Sequence, residues 1–171
     1  MGLEDVVLIL VGHGSPPRSY PHERVAEYIG LEKRVRAGDP TALERFRELD
    51  EELRSYPRTP ENDPYWYNLT RLAEAVKKAS RFLDVIPAFN EFCRPSLEEA
   101  VEEAAKMGPE AIVVVPTMIV RGGEDSEEDI PEKLKEIMER HPGLKIIYAW
   151  PYDVEDQVEL FVKQARRFLD Y

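Results

Sequence analysis

The chain alternates between short, unbroken apolar runs and longer stretches in which apolar residues recur every three or four positions. Residues 6–11 and 112–115 are the clearest runs. They are rich in Val, Ile and Leu with no polar alternation, which predicts strands covered on both faces inside a parallel sheet. Residues 82–89, centred on Val85 and Ile86, and residues 144–150 read as two further strands. Between them lie helical patterns with start signals. Asp63 and Pro64 form a cap followed by a first-turn proline, and Trp66, Leu69, Ala73 and Val76 then share one face. Ser96 and Glu99 have capping-box spacing ahead of Leu97, Val101 and Ala104, and Gly108 closes that helix. Asp129 reads as the cap of a helix with Pro131 in its first turn and Leu134, Ile137 and Met138 on its apolar side, stopping near His141. Asp153 caps a last helix whose Val154, Val158, Phe161, Ala165 and Leu169 predict a buried stripe.

Residues 16–63 break this rhythm: they are polar, charge-rich and punctuated by proline. Asp39 and Pro40 open a helix with Leu43, Phe46, Leu49 and Leu53 on one stripe, and residues 22–37 carry a less regular helical pattern. The pair reads as a helical hairpin inserted after the first strand, placed to act as a lid over a site or as an oligomer contact. Strand and helix alternating four times predict an α/β fold, with a parallel, doubly wound sheet of about four strands and helices on both faces. A length of 171 residues fits a single domain spanning 1–171.

Polar groups with chemical potential collect where the strands end. The first strand breaks into Gly12, His13, Gly14 and Ser15, so His13 is presented to a ligand with little steric cover and can act as metal ligand or proton acceptor. Ser15 lacks the Gly-x-Ser-x-Gly elbow of a strand-end nucleophile. The second strand ends in Asn90, Glu91, Phe92, Cys93 and Arg94. The third ends near Gly122 and Gly123, followed by Glu124, Asp125, Glu127, Glu128 and Asp129. A helix dipole favours acids at such a position, so most of them read as a solvated lead-in and one or two as ligands. In a parallel sheet the carboxyl ends of neighbouring strands share a cleft, and histidine with carboxylates suits divalent cobalt, nickel or iron. His22 reads as surface and His141 as a helix end.

Composition narrows the partners. A net charge of −11 argues against nucleic acid, whose phosphates need clustered Lys and Arg. No apolar run approaches a membrane span, and the amino terminus has acids where a signal peptide has bases. A single cysteine excludes an internal disulfide framework and makes the cytoplasm the expected compartment.

Three blocks, LVGHGS, IPAFNEFCRPSLEEAV and IVVVPTMIVRGGEDSEEDIP, occur in the order found in one family. Through them the chain resembles the small class II chelatases of the sirohydrochlorin cobalto-, ferro- and nickelochelatase type, the CbiX-like proteins. The resemblance implies a chelatase-like fold and insertion of divalent cobalt, nickel or iron into sirohydrochlorin or a related tetrapyrrole. The metal would be a substrate, with no tightly bound cofactor, and the chain would pair as a homodimer. His13 maps onto the histidine that binds metal or takes pyrrole protons, and Glu91 onto a glutamate that assists deprotonation. The family's second histidine falls at Asp125, with Glu124 the neighbouring choice because the register after Gly122 can shift by one. Arg18, Arg94 and Arg121 lie beside the three blocks and are candidates for pairing with substrate carboxylates. Two other readings remain: a carrier of tetrapyrrole or metal with the same fold, and a histidine phosphatase, which the Gly12 in place of arginine disfavours.

Overall fold

The structure, a computed structural model, describes residues 2–169. Its axis is β1 (Val6–Gly12), buried along its whole length and paired in parallel with β2 (Asp84–Phe89) on one side and β3 (Ala111–Pro116) on the other. β4 (Ile146–Tyr148) adds to the far edge of β3, giving the parallel order β2-β1-β3-β4. Alternate side chains sort to opposite faces, as strand geometry requires. Val7, Ile9, Val11, Ile112 and Val114 face α4 (Leu97–Lys106) and α5 (Ile130–Arg140), where Leu97, Val101, Leu134 and Ile137 complete one core. Leu8, Leu10 and Val85 face the other way, toward Leu69 and Ala73 of α3 (Pro64–Ala79).

Residues 16–63, expected to be a helical insertion, form α1 (His22–Arg36) and α2 (Leu43–Ser55), which extend this second core past the end of the sheet. Tyr28, Leu49 and Leu53 pack there with Phe89 and Phe92. The expected caps form at Asp63, Ser96 and Asp153, each accepting a hydrogen bond from a backbone N–H of the first turn. His22 is exposed, and His141 follows the last turn of α5.

The expectations differ from the structure at four places. Asp129 does not cap α5. The chain already turns helically after Gly123, and a π-helical turn over Asp125–Asp129 runs straight into α5, so the Asp129 carboxylate points sideways to Arg36 at 3.0 Å. The second and fourth strands are shorter than the apolar runs, because pairing begins only at Asp84 and Ile146. The last helix, α6 (Val154–Arg166), buries none of its residues: Phe161 is 54% exposed. Finally, β3 is not covered on both faces. α3 lies over β2 and β1, so Val113 and Val115 are only half-buried and Ile147 of β4 is exposed on the same face. Among the described residues, no helix is long and apolar enough to cross a membrane.

Candidate functional site

The ladder between β1 and β2 continues beyond both strands, and this is what builds the site. The Asn90 N–H donates to the Gly12 carbonyl and the Glu91 N–H to the His13 carbonyl, each at 2.8 Å, so the two strand-end loops lie side by side. Gly14 permits the approach. It sits at φ +97°, and a Cβ there would fall 2.1 Å from the Glu91 carbonyl oxygen. His13 and Glu91 thereby project together at the carboxyl edge, and the loop after β3 brings Asp125 to meet them.

His13 Nε2 lies 3.8 Å from Glu91 Oε2 and 3.9 Å from Asp125 Oδ2, and one donor atom from each residue falls within 4.8 Å of the others. Donors bound at about 2.1 Å to one divalent ion sit roughly 3 to 4.2 Å apart, so only small inward movements are needed to share a metal. His13 Nδ1 is 2.9 Å from the Gly14 carbonyl. Donating a proton there leaves the Nε2 lone pair directed at the two carboxylates. Burial pushes the Glu91 carboxyl up to about 7, with the Glu32 and Asp125 charges adding to the rise and His13 and Lys133 opposing it. Glu91 can therefore both take and give a proton near neutral pH.

Asp125 is fixed in turn by Asn90, whose Nδ2 donates to Oδ1 at 2.5 Å, while Asn90 Oδ1 accepts from Lys133 Nζ at 2.5 Å. Burial lowers the Lys133 amine below its usual range. Alongside lies a cleft of about 570 Å³ between the inserted helices and α5, lined by Tyr28, Arg36, Arg54, Glu91, Asp129 and Lys133 among others. Arg36 spans it. Its guanidinium donates to Glu32 and Asp129 at 3.0 Å, to Glu91 at 3.5 Å, and to Glu124.

The structure thus brings together His13, Glu91 and Asp125. Glu124 stands outside that group, exposed and paired with Arg36. The three arginines singled out from the sequence do not reach the cleft. Arg18 is exposed and its backbone N–H donates to the Asn62 carbonyl; Arg94 is tied to Glu51 and Glu99; Arg121 is exposed, 3.9 Å from Glu127. The cations that line the cleft are Arg36, Arg54 and Lys133. Lys133 follows Asp129 by four residues, a helical spacing that places both on one face and was readable beforehand. The other two come from the insertion, and no local signal directs them here.

The profile of the CbiX family matches residues 62–167, a span that begins just after α1 and α2. A sirohydrochlorin cobaltochelatase from Sulfurisphaera tokodaii is 33% identical over 85 residues, covering 49% of this chain and 67% of that protein. A sirohydrochlorin ferrochelatase from Priestia megaterium is 27% identical over 86 residues, covering 48% of this chain but 32% of that protein, so the chain spans about a third of this longer relative. Among solved structures, the CbiX protein of Marinobacter aquaeolei VT8 superposes with a TM-score of 0.52 at 20% identity, over 95% of this chain and 94% of that one. SirB from Bacillus subtilis with Fe3+ gives 0.50 at 19% identity, over 90% of this chain and 42% of that one. These superpositions speak for the fold. With a profile match over more than half its length, the chain belongs to the CbiX family.

Proposed function

We propose that this protein inserts divalent cobalt, nickel or ferrous iron into sirohydrochlorin or a related tetrapyrrole. The observation that carries the reading is the meeting of His13, Glu91 and Asp125 at the carboxyl edge of the sheet, in a family whose named relatives are sirohydrochlorin chelatases. The incoming ion is held by His13 Nε2 and the Asp125 carboxylate. The site is open to solvent on the His13 side, where the imidazole is 43% exposed, so the ion can leave as well as enter. The macrocycle approaches from the open side of His13. As the ion passes to the ring nitrogens the pyrrole protons must leave, and Glu91, poised near neutrality, accepts one while His13 becomes free to accept another. Arg18, Arg94, Arg121 and Glu124 have no part in this scheme. The test is to follow the macrocycle spectrum with added Co²⁺. Tight macrocycle binding at the protein-free insertion rate would replace the enzyme with a carrier, a reading favoured by Asp125 standing in place of the family's second histidine.

The working unit in this reading is a two-fold homodimer in the cytoplasm, the compartment suited to the single, unpaired Cys93. Two apolar surfaces stay open to solvent among the described residues. Val158, Phe161 and Val162 of α6 are exposed, and on one face of β3 and β4 Val113 and Val115 are only half-buried and Ile147 is exposed. An exposed helix stripe and an exposed sheet face of the same chain can be satisfied reciprocally by a second copy.

A further inference from the structure

The profile match begins at residue 62, yet the inserted helices before it grip the Glu91 loop at every residue from Asn90 to Cys93. Arg54 on α2 uses its whole guanidinium. Nε pairs with Asp50 at 2.9 Å, Nη2 donates to the Asn90 carbonyl at 3.2 Å and Nη1 to the Cys93 carbonyl at 2.8 Å. Arg36 on α1 donates to the Glu91 carboxylate at 3.5 Å. Arg58, just past α2, donates to the Phe92 carbonyl at 2.5 Å and to the Ser15 carbonyl, in the His13 loop, at 2.8 Å. Phe92 itself sits at φ +63°, in the left-handed region that a bulky side chain rarely adopts, and its ring packs 5.2 Å from Tyr28 of α1 and 5.8 Å from His13. Such a conformation persists only where the surroundings over-determine it.

We propose that the helical insertion is a brace for the reacting groups, with Arg54 as the positioning residue that holds Glu91 in register with His13 and Asp125. This deepens the chelatase reading and rests on it. Arg54 bridges the carbonyls on either side of the Glu91–Phe92 pair, so its loss frees the loop to relax Phe92 and swing the carboxylate away. Lysine cannot replace it, because an ammonium group lacks the fork that reaches Asp50 and two carbonyls at once. Arg58 serves the same loop but also neutralises the buried Asp63, so its variants report folding as well as position.

The full chain is compared with Arg54→Ala and Arg54→Lys, using Arg47→Ala on the exposed side of α2 as a control. Two readings are taken: affinity for Co²⁺ alone, which needs no turnover, and the kcat and KM of insertion. Both Arg54 variants are expected to lose about 10²-fold in kcat with the macrocycle KM nearly unchanged, as a misplacement of about 1 Å produces. Both should bind Co²⁺ more weakly, because the Asn90 that Arg54 holds by its carbonyl is the residue that fixes the Asp125 ligand, and methylguanidinium should restore part of the loss in Arg54→Ala. Folded variants with wild-type kcat and Co²⁺ affinity overturn the proposal, and so does full activity in Arg54→Lys, which shows that charge alone matters. If Arg54→Ala does not fold, Arg54→Lys decides, since it keeps the charge beside Asp50. A wild-type protein that binds Co²⁺ but inserts none defeats the chelatase reading instead, and the Co²⁺ affinities then decide the positioning role alone.

Discussion

His13 has glycine on both sides and a side chain 43% exposed, so little packing is lost when it is truncated. His13→Ala should lower insertion by about 10²- to 10⁴-fold, the usual worth of a placed proton acceptor, while the melting temperature hardly moves. Glu91 differs because it is buried. Its carboxyl rises from the usual 4.5 to about 7 in the folded chain, so folding favours the protonated form. That contribution is fully present below about pH 4.5 and is lost as pH rises through 7, where the ionised group must stay buried. Glu91→Gln should therefore stabilise the protein at pH 8 and have no such effect at pH 4, which thermal melts at both values check. The insertion rate should climb through about pH 7 in the wild type, and Glu91→Gln should remove that limb. At Asp125 the carboxylate is harder than imidazole. Asp125→Ala should weaken Co²⁺ binding in a direct titration, Asp125→His should keep or raise cobalt insertion, and Glu124→Ala should change neither.

Among the elements, two aspartates with the same sequence signal turn out to differ. Asp63 and Asp153 both precede helices and both cap them. Asp63 is also fully buried, pairs with Arg58 at 2.5 Å and accepts from the Ser15 hydroxyl at 3.2 Å. Asp63→Ala leaves Arg58 unpaired in the interior and should cost about 3–5 kcal/mol, whereas Asp153→Ala loses an exposed cap worth about 1 kcal/mol. Denaturant melts of the two variants separate these values. The same contrast explains what the sequence could tell. Local rules foretell the caps at Asp63, Ser96 and Asp153, the strand runs and the strand-end positions of His13 and Glu91, because each follows from residues close by in the chain; β3 instead ends at Pro116, short of the glycine pair, and Asp125 lies on the helical turn beyond it. The Arg36, Arg54 and Arg58 contacts were invisible because they depend on how α1 and α2 dock. Asp129 carries the sequence signal of a cap, and nothing local marks the π-helical turn that carries the helix start back to Asp125.

At the scale of the molecule, α6 shows where amphipathic pattern stops being sufficient. Its stripe of Val154, Val158 and Phe161 is real, but a stripe does not specify which surface covers it, and among the described residues it stays exposed. If a second copy provides that surface, Phe161→Asp should convert a dimer to a monomer in sedimentation at assay concentration; a wild-type monomer with full activity would remove the dimer from the account. The half-exposed Val113 and Val115 make the complementary point, since an unbroken apolar run gave no warning that one face of β3 lacks a helix. The whole account converges on one measurement: the rate of cobalt insertion into sirohydrochlorin, read from the macrocycle spectrum, for wild type, His13→Ala and a protein-free control. The account predicts rapid insertion by the wild type and a rate at least about 10²-fold lower for His13→Ala. Insertion by the wild type at the protein-free rate, or unchanged insertion by a folded His13→Ala, would contradict it.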